Sequence, residues 1–457
     1  MSLTNESKKT VQLAIPIILG ELAQMALHLI DTMMIGSIGG DSYKQVAAAA
    51  LAFSFTNIPF VLGIGMTMSI SQLVSMAKGK GDDGLVSHYL YNGFFITLLA
   101  ALGIVGFVEF GNGLLYHFKQ SPEIVAMSIP FLKIIGWSIF PMLLFMALKQ
   151  FADGLEITRT AMILSFIALP INIGINYCLV FGNFGFPRME MMGAAWGTLI
   201  TRTILFFILL FVVLNSKHFK TYISLKKTQW YFKKSSIKEL LTIGVPSSLQ
   251  VGMEAGVFAV SGIIVGTMGA QQLAAHQIAL QAASTTFMVS MGLAHAGSIR
   301  VSNAYGRKDF DSIYNIGKST LFMALGYGIL CAILFTTFKS YIPNFFLTEG
   351  VGGNEEVIAL VQVLLIFAAF FQISDATQAT SSGLLRGVKD VNVPTRLIGI
   401  AYWIICLPVG VFLANVLEWK AKGIWVGFIL GLTFSSISLT NRFFKLLKTK
   451  RAASQPI

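Results

Sequence analysis

The chain has 457 residues, of which 55% are hydrophobic and only 12% charged, with a mean hydropathy of +0.72, against roughly 25% charged residues in soluble domains. That balance excludes a water-soluble globular protein, and long apolar runs without strict alternation exclude a β-barrel. The net charge of +12 invites a nucleic-acid reading, but Lys and Arg gather on one side of the apolar spans, so the charge reports topology rather than a polyanionic partner.

Twelve apolar spans are predicted, at 10–36, 45–77, 87–110, 123–150, 158–182, 193–214, 237–267, 271–305, 311–338, 356–386, 394–415 and 422–447. The expected fold is therefore an all-α integral membrane protein with twelve transmembrane helices. The Lys and Arg bias places both termini on the cytoplasmic side of a cell's inner membrane. The first span is not read as a cleavable signal, because it carries Glu21, Gln24, His28 and Asp31 and outruns a short hydrophobic core. Cys178, Cys331 and Cys406 lie inside spans and read as small hydrophobes.

The chain contains itself twice. Pro16, Gly36 and Gly39 recur 230 residues later as Pro246, Gly266 and Gly269. After a slip of three residues, Ser71, Ser75, Gly79 and Asp82 return as Ser298, Ser302, Gly306 and Asp309, and Gly193 and Gly197 return as Gly423 and Gly427. Six spans per copy is an even number, so the two copies enter the membrane in the same sense, as a parallel repeat. Residues 1–214 are expected to form an N-lobe and residues 237–457 a C-lobe. The intervening 215–236 reads as a cytoplasmic interfacial linker, with Lys217, Lys220, Lys226, Lys227, Lys233 and Lys234 among Phe219, Tyr222, Trp230, Tyr231 and Phe232. The paired G-x-x-x-G patterns in spans 6 and 12 predict close helix packing. Pro16 and Pro246, at equivalent places in spans 1 and 7, predict bends and are candidate hinges.

Four carboxylates fall deep inside spans: Glu21, Asp31, Glu254 and Asp375. A charge near mid-helix costs about 2.5–3.5 kcal/mol on insertion scales, so each needs a reason to be there. Glu21, Gln24, His28 and Asp31 share one helical face, as do Ser247, Gln250, Glu254 and Ser261, and Gln372, Asp375 and Ser382. Polar faces in lipid look inward, so three such stripes predict a wet cavity. No Lys or Arg lies nearby on the same helices as Asp31, Glu254 or Asp375, and such a carboxylate binds Na⁺, takes up a proton or attracts an organic cation. Glu21 reads equally as a buried hydrogen-bonding partner. Asn172 and Asn176, one turn apart in span 5, and Thr198 in span 6 either complete a cation site with Asp31 or tie helices together. Gln24, His28, Gln250, Phe287 and Phe371 are candidate substrate contacts. The tempting Gly317-Lys318-Ser319 lacks the first glycine of a phosphate-binding loop, Ser312 standing there, and H-E-x-x-H is absent.

The twelve-span duplication, Asp31 before Thr-Met-Met-Ile-Gly36, and Pro246, Gln250 and Glu254 in span 7 together resemble the multidrug and toxic compound extrusion (MATE) family. The pattern is that of its NorM-like or DinF-like bacterial branches, over roughly residues 8–447. The resemblance implies a secondary antiporter, not an enzyme, that exports organic cations in exchange for Na⁺ or H⁺ by alternating access between two lobes. It needs no cofactor beyond the coupling ion, has small-molecule cations and membrane lipid as partners, and is expected to be a monomer. By the same resemblance Asp31, Asn172, Asn176 and Thr198 couple the cation or proton in the N-lobe, and Glu254 and Asp375 in the C-lobe. Na⁺ then sits at Asp31 or at Glu254 and Asp375. Some relatives carry Asp where Asn176 stands, and some carry a tyrosine where this chain has Phe371. Two rival readings are a lipid-linked sugar flippase, which would turn basic residues such as Arg202 and Lys133 into its cavity, and a membrane-embedded enzyme, which would need an acid–base pair or metal motif.

Overall fold

The computed structural model describes residues 3–39, 42–118, 121–223, 231–347 and 354–454. Twelve long helices carry these residues: α1 Leu3–Gly36, α2 Ser42–Lys80, α3 Asp83–Gly111, α4 Pro122–Gly154, α5 Arg159–Phe181, α6 Met191–Asn215, α7 Lys234–Gly266, α8 Ala270–Gly306, α9 Phe310–Thr337, α10 Asn354–Gly387, α11 Asn392–Asn415 and α12 Ala421–Ser454. Eleven are long and apolar enough to cross a membrane. The twelfth, α8, has the length at 37 residues, but Gln271, Gln272, His276, Gln277 and Gln281 dilute its apolar run. Large apolar side chains such as Leu99, Phe207, Phe211, Ile263 and Phe322 stand exposed on helix flanks, which hydrocarbon accommodates and water penalises.

The duplication is written in the backbone as well as in the sequence. Asp82 and Asp309 are equivalent residues, and each caps the helix that follows, accepting from Leu85 N at 2.8 Å and from Ser312 N at 3.0 Å. Left-handed φ values recur at equivalent places: Gly39 and Gly269, Gly81 and Lys308, Glu156 and Lys389, Glu190 and Lys420. Lys308 tolerates there what Gly81 adopts freely, so the loop geometry has been kept although the residue changed.

The compact units differ from the expected lobes at 1–214 and 237–457. One unit takes Leu19–Ser248 and the other takes the chain up to Ile18 together with Leu249 onward. The cuts fall inside α1 and α7, each two residues beyond the equivalent prolines Pro16 and Pro246. The first turns of α1 are held in their unit by Arg300 of α8, which binds the Glu6 carboxylate and donates to Glu6 O at 2.7 Å and Thr10 Oγ1 at 2.5 Å. Leu13, Ala14 and Ile17 then pack among Leu293, Ala296 and Ile299. The first turns of α7 lie in the Leu19–Ser248 unit, where Ser248 Oγ donates to Leu62 O at 2.8 Å and Tyr89 donates to Glu239 at 3.1 Å.

Of the linker, Lys226, Lys227 and Trp230 lie outside the described residues. Of the rest, Phe219 is buried beside Phe151, while Tyr231 and Phe232 touch His88 and Phe95 but stay more than half exposed. The glycine pairs bring helices together, as the spacing predicts. A Cβ on Gly193 would lie 2.6 Å from Leu179 C in α5, and one on Gly427 would lie 2.7 Å from Gly410 Cα in α11. Gly427→Val is therefore expected to overpack the α11–α12 contact by about 1–3 kcal/mol, lowering the thermal unfolding midpoint in detergent. Gly326→Ala in α9, where a Cβ meets nothing within 4 Å, should leave that midpoint unchanged or slightly raised.

Candidate functional site

In the Leu19–Ser248 unit, Asp31 lies near the end of α1 with both carboxylate oxygens occupied. Asn176 Nδ2 of α5 donates to Oδ1 at 2.7 Å and Thr198 Oγ1 of α6 donates to Oδ2 at 2.8 Å. Asn176 Nδ2 also reaches Asn172 Oδ1 at 3.2 Å, and Thr198 Oγ1 reaches Ala194 O at 2.9 Å. The Thr198 hydroxyl has one proton for two acceptors, so its bond to Asp31 competes with one to its own helix. Gly197 makes the arrangement possible: a Cβ there would run into Asn176 Oδ1, so only glycine lets α6 approach the amide this closely. All four residues predicted for this site are thus brought together.

The expectation of carboxylates standing in water does not hold for Asp31 and Asp375, which are 3% and 2% exposed, whereas Glu254 is partly exposed. At Asp31 the close approach of α5 and α6 puts an amide and a hydroxyl where water was expected. What remains unusual is the sign of those partners. Both are neutral, and no ion pair among the described residues includes Asp31, Glu254 or Asp375. The cluster also keeps an idle polar atom: Asn176 Oδ1 is buried without a partner. Oxygens from a carboxylate, an amide and a hydroxyl form the hard donor set that suits Na⁺.

Glu21 has a different fate. Lys149 of α4 pairs with its carboxylate, and both side chains are largely buried. The alternative of a hydrogen-bonded structural partner is the one realised, through a lysine that helix-by-helix reading did not connect to it. Gln24, on the same face of α1, is half-buried with its Nε2 unpartnered, and His28 is exposed with its ring edge-on to Phe53 at 4.6 Å.

In the other unit, Glu254 of α7 and Asp375 of α10 lie within electrostatic reach of each other. Asp375 Oδ1 is buried with no donor. The candidate contact Gln250 is committed elsewhere: its amide donates to Thr395 Oγ1 at 2.9 Å and Val391 O at 3.3 Å, and its oxygen accepts from Ser382 at 2.8 Å and Arg386 at 3.4 Å. Phe371 is buried in a ring cluster with Phe258, Trp425 and Phe428, while Phe287 is half-buried on α8. His276 accepts from Trp425 Nε1 at 3.2 Å, a satisfied packing role. The basic residues a flippase would turn toward its cargo are engaged: Lys133 pairs with Glu109 at 2.8 Å, and Arg202 donates to Ser138 at 2.7 Å and lies over the Phe60 ring. α11 supplies a residue the sequence reading missed. Tyr402 is fully buried, its hydroxyl bonds Glu254, and it lies within electrostatic reach of Asp375.

A duplicated multi-pass helical bundle holding unneutralised carboxylates defines a membrane transporter rather than an enzyme. Comparison with known proteins agrees. The MatE family model matches residues 16–178 and 246–412, once in each copy of the repeat, and the chain belongs to that family. It is 31% identical over 453 residues to the probable multidrug resistance protein NorM of Rhizobium meliloti (strain 1021), covering 98% of this chain and 95% of the relative. It is 30% identical over 453 residues to the multidrug resistance protein NorM of Vibrio cholerae serotype O1, covering 97% and 96%. The crystal structure of the eukaryotic MATE transporter AtDTX14 superimposes with a TM-score of 0.87 at 19% identity, over 99% of this chain and 100% of that one. A MOP superfamily transporter from Pyrococcus furiosus gives 0.87 at 16% identity over 98% and 97%. At those identities the solved structures establish the fold.

The Glu21–Lys149 pair is assigned to stability. Lys149→Met is expected to strand a buried carboxylate and cost about 3–5 kcal/mol, whereas the double substitution Glu21→Gln with Lys149→Met recovers most of that loss in thermal unfolding.

Proposed function

We propose that this protein is a secondary antiporter of a cell's inner membrane, with both termini cytoplasmic, that exports small organic cations in exchange for Na⁺ or H⁺. The observation that carries the reading is the presence of two intramembrane acidic centres, Asp31 and the Glu254–Asp375 pair, with no ion pair to either among the described residues, Arg202 being only within electrostatic reach of Asp31. A buried carboxylate held only by neutral donors needs a proton, a metal cation or an organic cation to balance it. Those three compete for one negative charge, and that competition is the physical content of exchange. The NorM relatives are named as multidrug resistance proteins, which supports drug-like cations as cargo.

Asp31 is the centre at which ion and drug alternate. Facing outward, it gains a cation or proton and loses its hold on the drug. Facing inward, it releases the ion to the cytosol and accepts the next drug. Asn172, Asn176 and Thr198 supply neutral oxygens and donors that hold the carboxylate in one rotamer throughout. Pro16 and Pro246 are the hinges of the alternation, supported by unit boundaries that fall two residues beyond each. The working form is a monomer, each chain carrying both acidic centres.

Asp31→Asn keeps the shape of the side chain and removes its charge. In energised inverted vesicles it is expected to reduce export of a fluorescent organic cation at least about tenfold, since one unpaired charge at this depth is worth more than the ~1.4 kcal/mol of a decade. Undiminished ion-driven export would remove Asp31 from the mechanism.

A further inference from the structure

We infer that the Tyr402 hydroxyl is a third oxygen of the Glu254–Asp375 centre, a neutral ligand to a small monovalent cation held there, in a place where Phe371 offers none. The inference rests on the antiport reading above and adds a residue to it.

The local cause lies in α11. Residues Ile400–Cys406 form a π-helical turn, two residues before Pro408, which has no N–H to give to the preceding turn. Glycines on α12 lie close behind this segment, a Cβ on Gly431 reaching within 2.6 Å of Ala401 O. Wide turns of this kind concentrate at functional positions because they re-aim side chains. The side chain aimed here is Tyr402.

Ring contacts fix where it stands. Phe258 of α7 touches Tyr402 with centroids 6.4 Å apart and Phe371 of α10 with centroids 6.2 Å apart. Glu254 is one turn before Phe258, and Asp375 is one turn after Phe371. Spans 7 and 10 run in opposite directions, so both carboxylates fall on the same side of this aromatic layer and at the same depth. Tyr402 is within electrostatic reach of both.

Three oxygen-bearing groups meet at one place. Asp375 Oδ1 is buried with no donor, the buried Tyr402 hydroxyl bonds the Glu254 carboxylate, and neither acid is in an ion pair among the described residues. Two neighbouring carboxylates cannot both stay charged without a cation between them, and carboxylate and phenol oxygens together make a hard donor set.

The test is Na⁺ titration of the full-length protein, by thermal shift in detergent against choline and by Na⁺-driven dye export from liposomes at fixed pH. In both assays Tyr402→Phe is expected to raise half-saturating Na⁺ about tenfold, in the range set by losing a supporting oxygen at a metal site. Its maximal export stays within about twofold of the native rate, and adding Phe371→Tyr recovers part of the affinity. A purely structural tyrosine would lower the unfolding midpoint and maximal rate while leaving half-saturation in place. An unchanged Na⁺ midpoint in Tyr402→Phe overturns the inference, as does a native protein driven by pH alone with no Na⁺-dependent shift. Export indifferent to both gradients overturns the antiport reading itself.

Discussion

The approach of α5 to α6 at Gly197 is the contact on which the N-terminal acidic centre depends. Only with the Asn176 amide seated against a glycine do Asn176 and Thr198 both reach Asp31, one to each oxygen. A carboxylate so held has a fixed position and no ion-pair partner among the described residues, with Arg202, one turn beyond Thr198, only within electrostatic reach. In water that would be unremarkable. Within a hydrocarbon layer an acid outside an ion pair is costly and needs a reason to be there.

Charges elsewhere in the bundle are handled in the opposite way, and the contrast sorts structure from function. Glu21 is matched by Lys149, Glu6 by Arg300, and Asp390 by a two-pronged bond from Arg442 at 2.6 and 3.1 Å. These pairs tie helices to one another within a unit, and their net charge is zero. Among the described residues, Asp31, Glu254 and Asp375 have no such ion pair. The duplication shows how this division arose: caps, left-handed loop residues and packing glycines recur in both copies, while the acids occupy non-equivalent positions. Scaffold was retained and charge was redistributed, giving two centres of unlike composition.

Much of this was legible in the chain. Span number and the parallel repeat follow from apolar run length and from glycines and prolines 230 residues apart, because both are one-dimensional signals. Asp31, Asn172, Asn176 and Thr198 stood out because polar residues at helical spacing in an apolar span cannot face lipid. Less could be read where the answer is a pairing between distant helices. Lys149 sits at the end of a span, where snorkelling to the interface was as good a reading as an ion pair with Glu21. Glu6 precedes the first apolar run, and nothing local marks its pairing with Arg300, which anchors the start of α1. Asp31 and Asp375, expected to be wet, proved buried, since the sequence does not say how closely two helices approach. Tyr402 was hidden among many aromatic residues. The exchange of the first turns of α1 and α7 between units leaves no local sequence mark except the prolines near which it occurs.

Coupling of ion flow to cation export through unpaired acids is tested most directly by reconstituting the purified protein in liposomes and imposing Na⁺ and pH gradients separately. Movement of a fluorescent organic cation should follow at least one gradient, reverse when that gradient is reversed, and stop when an ionophore collapses it. Movement that continues at the same rate after both gradients are abolished would contradict exchange at these carboxylates.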